Sequence, residues 1–263
     1  MTDVLKAQRQ GAVLRLTLAD DRTRNSLSEK MIAALTQQFN LAAEDQTLKI
    51  IVVAAEGTAF SSGHNLKELT AHREDYDQGQ AYFKKIFESC ASLMTTVAQH
   101  RCVTIAEVEG LASAAGCQLV ASCDFAYASE KAKFCTPGVN IGLFCSTPMV
   151  ALSRSISPRH AREMLLSGAI YDAHYALRVG LINEITPHDK LTARVNAVAD
   201  DIAQKSHTAI QYGKPAFDAQ LNLSLEDAYA DCASVMVKNM MDHSAREGIS
   251  AVLEKRRADW SPA

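Results

Sequence analysis

The stretch Phe60-Ser61-Ser62-Gly63-His64-Asn65-Leu66-Lys67-Glu68-Leu69 and its counterpart Val108-Glu109-Gly110-Leu111-Ala112-Ser113-Ala114-Ala115-Gly116-Cys117-Gln118-Leu119 carry the strongest structural signal in this chain. In each, a hydrophobic strand ends in a turn of small residues and enters a helix. The first N–H groups of such a helix have no intrahelical acceptor, and the helix dipole favours negative charge beside them. Two junctions of this kind facing each other would present a pair of donors to a developing oxyanion. Small residues at a strand-to-helix turn also simply permit close packing, and the pattern by itself leaves both uses open.

On either side of these junctions the hydrophobic pattern alternates between strand and helix periods. Leu14, Leu16 and Leu18 alternate with polar neighbours, which predicts a half-buried strand. Ser28 suits the N-cap of a helix whose Ile32, Leu35, Phe39 and Ala42 share one face as far as Glu44-Asp45. Lys49-Ile50-Ile51-Val52-Val53-Ala54-Ala55 is a β-branched run that fits a strand covered on both faces, and a small polar loop follows it up to Asn65. A long amphipathic helix is predicted over 76–98, with Ile86, Phe87, Cys90, Leu93, Met94 and Val97 in its stripe. Residues 103–108 read as a strand, 114–123 as a small-residue helix and 125–128 as a strand. This alternation, continuing to about residue 186, predicts an α/β fold with mainly parallel pairing. From Lys190 the character changes: 190–205, 208–221, 225–241 and 245–257 read as helices, broken at Gly213-Lys214-Pro215 and His243-Ser244. The expected organisation is a β/α core over 1–200 and a helical part over 201–263.

Composition narrows the function classes. The 27 basic residues are outnumbered by 30 acidic ones, so the basic stripe of a nucleic-acid binder is not expected. A hydrophobic content of 48% over 263 residues suffices for a large core and excludes a disordered chain. The longest apolar run, 50–55, falls far short of the roughly 18–20 residues of a membrane span. The seven cysteines are scattered and contain no Cys-x-x-Cys, which suits reduced thiols, and the histidines do not pair at ligand spacing, so no metal site is expected. The opening Met1-Thr2-Asp3-Val4-Leu5-Lys6 has neither a signal nor a transit pattern, which predicts a cytoplasmic protein.

Taken in order, the motifs resemble the enoyl-CoA hydratase/isomerase (crotonase) superfamily. The match runs from Arg22-Thr23-Arg24-Asn25-Ser26-Leu27 through 60–69 and 108–119 to Cys123-Asp124-Phe125-Ala126-Tyr127-Ala128. It continues through Lys133-Phe134, Pro137, Ile141-Gly142, Ala176 and Val179-Gly180-Leu181-Ile182-Asn183 to Leu253-Glu254-Lys255-Arg256. The resemblance covers essentially the whole chain. It implies a spiral of ββα turns, a helical C-terminal region that assembles a homotrimer or a dimer of trimers, and an acyl-CoA thioester ligand of fatty-acid metabolism. CoA is then part of the substrate and no separate cofactor is expected. The carry-over puts the oxyanion donors on the backbone N–H groups of His64 and Ala115, beside Gly116. It implies a CoA-binding loop of Ser62, His64, Asn65, Leu66 and Lys67, with Arg24, Lys67 and the Lys255 cluster as phosphate contacts and Asn140 and Cys145 near the acyl group.

Departures from the family pattern bear on the chemistry. Hydratases of the family use two glutamates; the corresponding positions here hold Gln118 and Gly138. An amide does not accept a proton near neutral pH and glycine has no side chain, so the usual acid–base contribution of roughly 10²–10⁴ in rate is missing. His64 supplies an imidazole beside the donor loop and is a candidate for proton transfer, against the plainer role of shaping the pocket. Asn65 replaces the more usual aspartate. The combination resembles family branches that lack one or both glutamates, including acyl-CoA decarboxylases and hydratase-domain-containing proteins. Three readings follow: an enoyl-CoA hydratase or isomerase with altered chemistry, an acyl-CoA decarboxylase, and a module that holds a CoA ester without turning it over. Restoring glutamate at both 118 and 138 is expected to discriminate the first of these from the third.

Overall fold

A computed structural model describes residues 4–260. Met1, Thr2 and Asp3, which open the segment lacking a targeting pattern, lie outside the described residues. The chain divides into two compact units, the first ending at Ala199 and the second beginning at Asp200.

The first unit is α/β and is built from repeated strand–strand–helix turns. β1 (Leu5–Gln10) and β2 (Val13–Leu18) form an antiparallel hairpin. Leu14, Leu16 and Leu18 point into the core, as their period of two predicts. α1 (Glu29–Glu44) follows, capped by the Ser28 hydroxyl, which accepts the Met31 N–H at 3.2 Å, a contact of about 1 kcal/mol. β3 (Ile50–Ala55) pairs in parallel with β2. Ile50 to Ala54 are all buried, so both faces of the strand are covered, as the continuous β-branched run predicts.

After α2 (Leu66–Ala71) and α3 (Gln80–Ala98), β4 (Val103–Val108) joins β3 in parallel, and β5 (Leu111–Ser113) turns away into a second sheet before α4 (Ala115–Ser122). The next turn repeats the pattern. β6 (Phe125–Ser129) pairs with β4, β7 (Lys133–Cys135) pairs with β5, and a 3-10 turn over Pro137–Ile141 leads to α5 (Ser146–Ser155). α6 (Pro158–Ser167), β8 (Tyr171–Asp172), α7 (Ala173–Val179), β9 (Glu184–Thr186) and α8 (Leu191–Ala203) complete the series. The larger sheet has the order β1-β2-β3-β4-β6-β9 and the smaller β5-β7-β8. This is the expected crotonase-type spiral: the turns β4-β5-α4 and β6-β7-α5 each give one strand to each sheet and then a helix.

In the second unit, α9 (His207–Gln220), α10 (Leu225–Met241) and α11 (His243–Leu253) pack in sequence. The Trp260 indole N–H donates to the Gln204 carbonyl at 2.8 Å. Most of the unit's large apolar side chains are exposed, including Leu225, Tyr229, Met236, Val252 and Leu253.

Several local expectations need correction. The helix predicted from residue 76 starts at Gln80, because Asp77 accepts the N–H groups of Gly79 (3.0 Å) and Ala81 (2.8 Å) and Gly79 adopts φ 86°. Gly213-Lys214-Pro215 does not break α9, which runs through Pro215. Proline removes one donor, but its fixed φ is itself helical. The interruption assigned to His243-Ser244 falls at Asp242, whose side chain caps α11 by accepting the Ser244 N–H at 2.9 Å. The small-residue helix starts at Ala115 and not at Ala114, whose φ of 50° and ψ of −115° are not helical.

Candidate active site

The spiral brings the two junctions together. Ser61 forms a single parallel bridge with Ala112, extending the smaller sheet by one position beyond β5. The Ser61 N–H donates to the Leu111 carbonyl at 3.1 Å, and the Ser113 N–H donates to the Ser61 carbonyl at 2.8 Å. The chain therefore leaves neighbouring positions of one sheet twice, once after Ser61 and once after Ser113, and the two loops run side by side. Glycines allow the approach. A Cβ on Gly63, whose φ is 85°, would lie 3.0 Å from Ala114 Cβ and 3.2 Å from Ala115 N; one on Gly116 would lie 2.4 Å from the Ser61 carbonyl oxygen. Neither the His64 nor the Ala115 backbone N–H donates to a backbone acceptor among the described residues.

Ala114, between β5 and α4, holds a backbone conformation that L-residues rarely adopt, at a cost of about 1–3 kcal/mol. Its surroundings pin it. Its N–H donates to the Cys135 carbonyl at 2.9 Å and its carbonyl accepts the Gln118 N–H at 3.0 Å.

Around the loops, polar atoms are buried without partners. His64 packs edge-to-face on Phe87 of α3, with ring centroids 5.1 Å apart, and burial lowers its pKa to about 4. The ring is therefore neutral at physiological pH. His64 Nε2, Gln118 Oε1 and Thr136 Oγ1 are buried with no hydrogen-bond partner among the described residues. A buried polar atom left unpaired costs about 1–3 kcal/mol, and such atoms in a native fold call for a physical reason, a ligand among them.

Gly138 is buried, and a Cβ there would meet the Leu143 carbonyl oxygen at 2.8 Å and Cys145 Sγ at 3.0 Å. Any side chain introduced at 138 therefore requires the Leu143–Cys145 segment to shift, so the glutamate restoration at this position strains the turn while that at 118 does not. Burial pushes the Cys145 thiol pKa up, while a hydrogen bond to the Gly138 backbone acts in the opposite direction; a protonated thiol is a weak nucleophile.

The remaining sequence candidates divide. Arg24, in the left-handed region at φ 56°, uses its carbonyl to accept the Ser62 N–H at 3.0 Å, and Ser62 Oγ donates to the Thr23 carbonyl at 3.1 Å. The Arg24 side chain is exposed, as are Leu66 and Lys67. Asn65 has a structural task, capping α2 by accepting the N–H groups of Lys67 (3.1 Å) and Glu68 (3.4 Å). Asn140 has a structural contact. It is exposed, and its amide donates to the Gly168 carbonyl at 3.1 Å, tying the 3-10 turn to the end of α6. Lys255 belongs to the second unit, exposed and at φ 55°, while its neighbour Arg256 is engaged by Glu247 and Glu254. Asp124 braces β4 by accepting from Thr104 N (2.7 Å) and Oγ1 (2.9 Å). Among the described residues no group of three or more His, Cys, Asp or Glu side chains could hold a metal ion.

The family described as enoyl-CoA hydratase/isomerase matches residues 8–262. The chain belongs to that enoyl-CoA hydratase/isomerase family. It is similar to the mitochondrial enoyl-CoA hydratase domain-containing protein 3 of Xenopus laevis, with 44% identity over 260 residues covering 99% of this chain and 87% of the relative. The Homo sapiens protein of the same name is 42% identical over 255 residues, covering 97% of this chain and 82% of the relative. The crystal structure of human enoyl-CoA hydratase domain-containing protein 3 superposes with a TM-score of 0.93 at 41% identity, covering 98% of this chain and all of that one. An enoyl-CoA hydratase from Mycobacterium smegmatis gives 0.92 at 42% identity, covering 98% of each chain. These vertebrate relatives are named as mitochondrial, so the cytoplasmic expectation gains no support from them. Among the described residues, no helix of this enoyl-CoA hydratase/isomerase family member is long and apolar enough to cross a membrane.

Three residues of the site escaped sequence reasoning. Alanine is not a turn residue, so nothing in the sequence marks the strain at Ala114. Phe87 sits in the apolar stripe of α3 and is indistinguishable there from a core residue. Thr136 precedes Pro137 in the matched motif, and its unpaired hydroxyl has no sequence signature.

Proposed function

We propose that this enoyl-CoA hydratase/isomerase family member binds an acyl-CoA thioester with its carbonyl oxygen between the backbone N–H groups of His64 and Ala115. The carrying observation is the contact of the two loops, with the Cβ direction of Gly63 ending 3.2 Å from Ala115 N. Donors held by the sheet stabilise the enolate-type oxygen without reorganisation, which is where such a site lowers a barrier. The CoA moiety lies along Ser62, Asn65, Leu66 and Lys67, with the exposed cations Arg24 and Lys67 available to its phosphates. Gln118 and Gly138 stand where the family's hydratases carry glutamates, so the activity is enolate chemistry of the lyase or isomerase type without a water-activating carboxylate pair. Neutral His64 and the Gln118 amide orient the acyl group or a water through hydrogen bonds. The exposed apolar side chains of the second unit serve self-association as a trimer or a dimer of trimers.

Calorimetric titration with crotonyl-CoA, together with mass spectrometry of any CoA ester that copurifies, tests the reading. Binding is expected, with slow or absent loss of the conjugated-thioester absorbance. The absence of both binding and a copurifying ester would sink it. Gln118→Glu adds one carboxylate with little change of shape, and a gain in hydration of tenfold or more is expected from it.

A second reading, decarboxylation of a carboxylated CoA thioester, is favoured by the buried, unpartnered His64 Nε2 and Gln118 Oε1, which belong to groups uncharged at neutral pH. A buried site without a charged partner disfavours a substrate carboxylate relative to the departing CO₂. Carbon dioxide release from malonyl-CoA or methylmalonyl-CoA distinguishes it from the first.

A further inference from the structure

We infer that Ala114 is a positioning residue that aims the Ala115 N–H and sets its distance from the His64 loop; the inference rests on the oxyanion reading proposed above. The argument starts from the peptide linking Ala114 to Ala115. In a trans peptide the carbonyl and the N–H point in opposite directions, and rotation about ψ of the first residue turns both together. Here ψ of Ala114 is −115° and φ is 50°. Its carbonyl accepts the Gln118 N–H at 3.0 Å, so it points along α4. The Ala115 N–H is thereby directed the opposite way, out of the helix start.

Two anchors keep the peptide there despite its strain. The Ala114 N–H is bonded to the Cys135 carbonyl at 2.9 Å, and the preceding Ser113 N–H is bonded to the Ser61 carbonyl at 2.8 Å. The methyl group adds a spacer, because the Cβ direction of Gly63 ends 3.0 Å from Ala114 Cβ. Glycine would adopt these angles with little strain, but it would also permit the neighbouring ones and would leave the gap between the loops unfilled. Alanine thus holds one orientation of the peptide at the expense of stability, a trade expected where geometry serves chemistry.

The test uses Ala114→Gly and the conservative Ala114→Ser in the full-length protein, with [1-13C]crotonyl-CoA as the probe. Two quantities are read: the thermal midpoint without ligand, and the infrared shift of the labelled carbonyl on binding. Ala114→Gly is expected to raise the midpoint and to lose at least half of the wild-type shift to lower frequency. Ala114→Ser is expected to retain the shift, because it keeps Cβ. A full shift in Ala114→Gly overturns the positioning role, and a lowered midpoint in that variant overturns the strain. A wild-type protein that binds the probe without a carbonyl shift, or does not bind it, overturns the oxyanion reading itself and leaves Ala114 a strained turn with no part in catalysis; the midpoint is measured independently and separates the two failures.

Discussion

The imidazole of His64 is shifted more by its surroundings than a surface histidine, and the shift has a thermodynamic signature. Its pKa falls from 6.5 to about 4 because burial against Phe87 penalises the charged ring. The unfolded chain binds a proton at His64 below pH 6.5, whereas the folded chain resists it until about pH 4. The associated stability, about 1–3 kcal/mol, is therefore fully present above pH 6.5 and is lost as the pH falls towards 4. Thermal midpoints of the wild type and His64→Gln at pH 7.0 and 4.5 check this: the wild type is expected to lose more on acidification, and parallel losses would refute it. Gly116 gives a second prediction. An added Cβ would fall 2.4 Å from the Ser61 carbonyl oxygen, a backbone atom with no rotamer to escape into. Gly116→Ala should cost about 1–3 kcal/mol by forcing the loops apart. An unchanged urea midpoint would contradict that.

Individual elements show what local pattern can and cannot reveal. β2, β3 and α1 were legible because their periodicity reports burial directly, and α1 has its Ser28 cap. The start of α3 was misplaced because its hydrophobic stripe says nothing about the Asp77–Gly79 turn, in which a carboxylate takes over the N–H groups a longer helix would have used. Neither could period or propensity place Ser61 beside Ala112; that contact comes from the register of successive turns, and the sequence disclosed it only through motifs resembling a family. The bond from Asn140 to the Gly168 carbonyl is invisible for the same reason, since proximity in the chain to Gly138 does not fix the direction of a side chain. Pro215 was expected to break α9 and does not. It nevertheless leaves the Gln211 carbonyl without the donor that residue 215 would supply. Pro215→Ala should restore that bond and stabilise the chain by about 1–3 kcal/mol, as judged by chemical denaturation. A lower midpoint would show instead that the proline serves packing.

At the scale of the whole molecule, the two units differ in how they hide apolar surface. The first buries a continuous cluster from Val4 to Ile182. In the second, Tyr229 is 73% exposed and Val252 and Leu253 are 77% and 78% exposed, more than isolated surface residues account for. Sedimentation is expected to find a trimer or hexamer at micromolar concentration. Tyr229→Glu combined with Met236→Glu, on one face of α10, should shift the mass towards the protomer; a monomeric wild type would count against self-association. The Ser61–Ser113 link has a different kind of consequence, for how the protein tolerates change. Hydrogen-bond donors supplied by main-chain amides do not depend on the side chain their own residue carries, so positions 64 and 115 can diversify wherever Gly63, Ala114 and Gly116 keep the backbone in place. Side-chain truncation at 64, and any alanine scan at 115, then leaves the donors themselves untouched, and amide-to-ester replacement at positions 64 and 115 becomes the mutagenesis that addresses them.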